Sequence, residues 1–256
     1  MSPTTTPAGL STAAPAGASP ASRATRRTVD APVRAFHALF ALSFAGAWIT
    51  AESEAWQGLH VTLGYAFSGL LLFRLAYGLL GPRPARLASL WRRVSGLGDW
   101  LRSAQAGRVD LPRAATLALS ASMLLLLAVA GPLVLAGYAG HIDWLGLEDG
   151  FGELHEAFAN VAMSLVLAHL ALVVLLSVLR GRNIAAPMLT GRSAGPGPDL
   201  IQANRAWLAA LVLAFWLGFV GWQASQAGGL GAGEHSGERH GQNHGERHGE
   251  RHHDDD

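Results

Sequence analysis

The chain predicts an all-α integral membrane protein with five transmembrane helices, on three observations. It contains five long apolar runs, and the loops between them carry arginine only in alternation. Charged residues make up 14% against a usual share of roughly a quarter, while hydrophobic ones reach 50%. All 19 cations are arginine, set against 18 acids, and the 256 residues include neither cysteine nor lysine. That composition excludes a disordered chain of high net charge, a disulfide-stapled secreted domain, thiolate metal sites and covalent c-type haem attachment. A formal net charge of +1 gives no reason to expect nucleic acid.

Crossing the hydrocarbon core of a bilayer takes about 20 mostly apolar residues in a helix. Residues 32–50, 58–80, 114–138, 151–179 and 206–222 supply such runs. They are too long for barrel strands, and helices satisfy every backbone polar group internally. Arg23, Arg26 and Arg27 precede the first run, with Arg34 just inside it. Seven arginines, from Arg83 to Arg113, separate the second and third runs, and Arg180, Arg182, Arg192 and Arg205 separate the fourth and fifth. The loops after the first and third runs hold Glu52, Glu54, Asp143, Glu148 and Asp149 and no arginine. This alternation places the N-terminus in the cytoplasm and the C-terminus outside. Trp48, Trp56, Trp144, Trp207 and Trp222 fall near run ends, as interfacial anchors do.

The chain therefore divides into a disordered cytoplasmic leader (1–31), a four-helix core (32–192), a cytoplasmic linker (193–205), a fifth helix (206–222) and a disordered histidine-rich tail outside (223–256). A cleaved signal peptide is the competing reading of the first run, which is long for one.

Four histidines, His37, His60, His155 and His169, lie in or at the ends of these runs, where ionisable groups are expensive and mark function. The bland alternative for any one of them is a helix-to-helix hydrogen bond. Their depths argue otherwise. His155 and His169 are 14 residues apart, about 21 Å along a helix axis and only about 40° short of whole turns, so they share one face at two levels. His60 opens the second run on the outer side and His37 lies early in the first, on the inner side. The levels pair His60 with His155 and His37 with His169.

Two imidazoles at one depth from facing helices, with no thiolate available, suit a six-coordinate haem b. Two such levels would form a di-haem bundle. Each ring's other N–H then needs an acceptor that sequence does not reveal. Ala159, Ala162 and Val166 on the ligand face, and Gly64 one turn after His60, are small enough for a porphyrin to approach, although ordinary membrane helix packing also uses small residues. Arg34, one turn before His37, and Arg74, toward the cytoplasmic end of the second run, are candidates for haem propionates or for structural roles.

The tail carries His235, His240, His244, His248, His252 and His253 with three terminal aspartates, a composition suited to loose capture of Zn, Cu or Ni; a solvated, silent tail is the alternative. His141, in an outer loop, reads as a surface histidine or as part of a redox site.

The stretches VRAFHALFALSFAGAWIT and LHVTLGYAFSGLLLFRLAYGLLGPRPARLASL resemble the opening of the bacterial cytochrome b561 family, which groups with the b-type subunits of nickel–iron hydrogenases. ELHEAFANVAMSLVLAHLALVVLLSVLRGRN, followed by PMLTGR, resembles its last core helix. Where many relatives carry Gly-His-Asn-Pro before the third helix, this chain has LPRAATLALS. The resemblance implies a four-helix core in the bacterial inner membrane. It further implies two b haems held axially by His37, His60, His155 and His169, exchanging electrons with membrane quinone and a redox protein partner. A homodimer stays open. Three function classes follow: an electron carrier between the quinone pool and a partner, a self-contained oxidoreductase passing electrons from a small molecule such as superoxide to quinone, and a haem-free metal transporter with the tail as collector.

Overall fold

A computed structural model describes residues 24–226. Asp30 starts the first helix: its side chain accepts from the Val33 amide at 3.4 Å, and Pro32 sits in the first turn, where a backbone N–H has no partner to lose. That helix, α1 (Ala31–Thr50), runs from the arginine-rich end of the bundle to the acidic end, and α2 (Gln57–Leu80) returns. Two short helices, α3 (Leu87–Val94) and α4 (Leu97–Gln105), occupy the arginine-rich loop. An antiparallel pair follows, α5 (Leu111–His141) and α6 (Glu148–Leu179), then the short α7 (Ala186–Thr190) and finally α8 (Ala206–Gln226).

Five helices are long and apolar enough to cross a membrane, and they contain the five expected runs. The third extends three residues beyond its apolar run at each end. At its start, Asp110 caps the helix from outside that run by accepting from the Arg113 amide at 3.0 Å.

α5 packs along α6 and α1 along α2, while the two pairs meet more sparsely through α2 and α5. Phe67, Leu71, Ala130, Leu133 and Ala162 form the central core, with Phe40 stacked on Phe67 at 3.9 Å between ring centroids. α8 leans on α1. Its Trp216 Nε1 donates to the fully buried Ser43 Oγ at 2.9 Å, and Trp216 and Val212 pack on Phe36, Leu39 and Leu70. Most of α8 is otherwise exposed and apolar on every side, a surface suited to lipid.

The arginine-rich end is clasped by a ribbon that composition gave no sign of. Strand β1 (Thr25–Arg27) pairs antiparallel with β2 (Arg192–Ala194), and the Arg27 amide donates to Asp199 Oδ1 at 2.6 Å. The Ala31 amide donates to Asn204 O at 3.1 Å. So the last residues of the expected leader and much of the expected linker are tied together. The Ser/Thr/Ala/Pro content of the leader describes local preference, whereas the side chain that Arg27 meets lies 172 residues away.

Candidate functional site

His60 sits on the first turn of α2 and His155 on the second turn of α6, both at the acidic end. Their ring centroids are 6.1 Å apart and their planes cross at 84°. Each Nδ1 meets a main-chain carbonyl, His60 to Ala47 O at 2.8 Å and His155 to Leu133 O at 2.9 Å. A carbonyl only accepts, so Nδ1 carries the ring proton in both and Nε2 keeps its lone pair.

The two acceptors arise differently. Ala47 lies in the last turn of α1, where carbonyls lack a backbone partner, so His60 satisfies a group that otherwise meets only the Thr50 hydroxyl at 3.2 Å. Leu133 lies inside α5, where the ring needs close access to the helix backbone. Gly137 grants it: a Cβ there would come within 2.6 Å of His155 Nδ1 and 2.7 Å of Cε1.

Both rings line a cavity of about 730 Å³, walled by Phe44, Trp48, Phe67 and Ala159 among others. That volume is in the range of a cofactor pocket, roughly 300–1,000 Å³. The separation also fits a metal between the rings. Two metal–nitrogen bonds of about 2 Å, with a ring radius of about 1 Å at each side, put centroids roughly 6 Å apart. Gly64 lines the same cavity, and a Cβ there would meet nothing within 4 Å. His141 lines it too, its ring 6.2 Å from that of Tyr65.

At the other level, His169 Nδ1 is hydrogen-bonded to Ser122 Oγ at 2.9 Å. His37 has no hydrogen-bond partner among the described residues. The geometry thus sets His60 beside His155, one of the two pairs that depth suggested. Among the described residues, no group of three or more His, Asp or Glu side chains could hold a metal ion.

The arginines engage backbone. Arg34 Nε donates to Met188 O at 3.3 Å and its Nη2 to Leu189 O, gripping α7. Arg74 is buried and donates from Nη1 to Ala85 O at 3.2 Å. His235, His240, His244, His248, His252 and His253 lie outside the described residues.

Sequence reading missed the acceptors. Ser122 was within its reach, because Ser122 is 11 residues into α5 and His169 is 10 from the end of α6, about 16 and 15 Å from the same end. The carbonyls of Ala47 and Leu133 carry no such signal, since every residue has one.

A family model described as prokaryotic cytochrome b561 matches residues 28–191, a span holding all four histidines and both arginines. No curated protein and no solved structure matches the chain. The match covers well over half of the length and takes in the three helices that carry the four histidines. The chain belongs to the prokaryotic cytochrome b561 family, membrane-bound b-type cytochromes of electron transfer.

Proposed function

We propose that the chain carries electrons through two b haems, one between His60 and His155 and one between His37 and His169, linking the membrane quinone pool to a redox protein. The observation that carries this reading is the outer histidine pair: two rings 6.1 Å apart, each with Nδ1 held by a carbonyl and Nε2 free to bind iron. Bound haem b supplies a one-electron iron couple. The helices supply the rest. They fix both rings in the metal-binding tautomer, flank the site with Phe44, Trp48 and Phe67, and stack the two levels on one face of α6. Arg34 and Arg74 have N–H groups beyond those given to carbonyls, and in this reading these meet propionates.

Arginine asymmetry supports a cytoplasmic N-terminus and a periplasmic C-terminus in the bacterial inner membrane. It also bears on the choice of outer partner. Glu52, Glu54, Asp143, Glu148, Asp149, Glu153 and Glu156 are exposed at the acidic end, and no arginine lies in the loops there. Such a field repels an anion such as superoxide and attracts a basic protein surface, which favours the partner reading over the self-contained oxidoreductase.

The test is to add decylubiquinol to the purified, oxidised protein and record the difference spectrum. A low-spin b-type spectrum that develops with quinol is expected. A correctly folded but colourless preparation, or a haem that no quinol reduces, would sink the proposal.

A further inference from the structure

Between α2 and α5 the chain crosses the arginine-rich end of the bundle in two short helices with unlike sides. At about 100° per residue, Leu87, Leu90, Trp91 and Val94 of α3 fall within one arc of about 100°, with Arg92 and Arg93 outside it. Leu97, Trp100, Leu101 and Ala104 of α4 share an arc of the same width, with Asp99 and Arg102 on the far side. Both helices are tied down. Leu87 seats against α2, where a Cβ on Gly78 would come within 2.6 Å of it. The Trp100 indole donates to Asp110 O at 3.1 Å and Arg113 Nη2 to Gly96 O at 3.4 Å, fixing α4 to the start of α5. Their apolar sides are still left uncovered: Trp91 is 67% exposed, Leu101 45% and Leu97 40%. The charges are uncommitted as well. Arg83, Arg92, Arg93 and Arg108 are exposed, and their side chains make no hydrogen bond or ion pair among the described residues. Against the seven arginines from Arg83 to Arg113 stand two acids, Asp99, bridged to Arg102 at 3.0 Å, and Asp110, which caps α5.

We infer that α3 and α4 lie in the surface of the leaflet at the arginine-rich end and bind anionic phospholipid, with Trp91, Leu97 and Leu101 among the acyl chains and Arg83, Arg92, Arg93 and Arg108 on the phosphates. The inference needs no cofactor and stands apart from the electron-carrier reading. The segment joins two helices that cross the membrane, one ending at Leu80 and the other starting at Leu111, so it is held at the level of the headgroups. A helix apolar along one side and charged along the other settles at that level, its apolar side at the acyl boundary. Tryptophan favours the same depth. In water the three exposed apolar side chains would be unfavourable. Guanidinium suits the ligand, being planar, always charged and able to meet two phosphate oxygens at once. A zwitterionic lipid balances its own phosphate, so the surplus of arginine selects an anionic one. An acidic protein surface would answer the charge but not the apolar side chains set at the depth where acyl chains begin. Because α3 touches both α2 and α5, the sparsely joined members of the two helix pairs, bound lipid would also fasten the joint between them.

The chain has no cysteine, so a single one can be introduced without background. Leu101→Cys and Asp99→Cys, on opposite sides of α4, are each labelled with a nitroxide in the full chain and placed in nanodiscs of equal phosphatidylcholine and phosphatidylglycerol. Relaxation by oxygen against a water-soluble nickel chelate reads the depth of each label. The label at 101 should be oxygen-rich and shielded from nickel, and the label at 99 the reverse. Lipid retained by the wild-type chain on extraction should be enriched in phosphatidylglycerol, and excess inorganic phosphate should leave that enrichment unchanged. Arg92→Gln combined with Arg93→Gln should lower it severalfold, since each arginine near an anionic surface is worth about fivefold in affinity. The depth measurement keeps the test open should the double variant fail to assemble. A label at 101 as open to nickel as the one at 99 would overturn the inference and leave this face to a protein partner. Retained lipid without enrichment, enrichment abolished by free phosphate, or full enrichment in a folded double variant would overturn it too.

Discussion

The two histidine levels are built in different ways. At the acidic end, backbone carbonyls hold both rings, one left over by the end of α1 and one reached past Gly137. At the arginine-rich level, His169 is held by a side chain, Ser122, and His37 has no partner among the described residues. A backbone acceptor cannot be deleted by mutation, and the conformation of the helix fixes its direction. A serine hydroxyl rotates and is one substitution from absent. The level at the acidic end is therefore the more rigid, and the one at the arginine-rich end more easily tuned by evolution or experiment.

Removing a ligand should separate the levels most sharply. His155→Ala is expected to halve the haem content by emptying the outer level alone, and His169→Ala to halve it by emptying the inner level, both read by haem-to-protein ratio. Loss of both haems from either variant would mean that the levels are not independent. Gly137→Ala comes next. Its methyl group would press on His155, so outer haem occupancy should fall severalfold while the inner haem stays, as second-shell disruption of a metal site commonly gives 10–100-fold losses of affinity. An unchanged variant would show that the ring approaches α5 less closely than described.

Ser122→Ala should act only on the inner level and more gently. Taking the acceptor from a ring N–H makes imidazole a weaker donor to ferric iron, so the inner potential should rise, by up to about 59 mV for a tenfold change in relative affinity, while the outer potential stays put. A potentiometric titration resolves the two. The smallest effect belongs to Ser43→Ala, which removes the bond to Trp216 and should cost about 1 kcal/mol of thermal stability while leaving both haems in place. A haem lost from that variant would tie α8 to the cofactor core.

Much of the fold was legible because a bilayer makes strong demands on sequence. Length and apolarity mark the crossings, arginine marks one face of the membrane, and helical rise converts residue number into depth, which sets His60 level with His155. Where chemistry depended on main-chain atoms, the sequence was silent: nothing distinguishes the carbonyl of Ala47 from its neighbours until α1 is seen to stop at Thr50. The clasp at the arginine-rich end was hidden for another reason. Asp30, Tyr77 and Arg205 are far apart along the chain, and each reads locally as a cap, an interfacial aromatic and a loop cation. Only the return of the chain after α6 brings them to one place.

The most direct test of two imidazole clamps in one bundle is the haem stoichiometry of the purified wild-type chain. The pyridine haemochrome of a fully loaded sample, divided by protein from amino-acid analysis, should give two b haems per polypeptide. A ratio that saturates at one, however much haem is supplied, would contradict it.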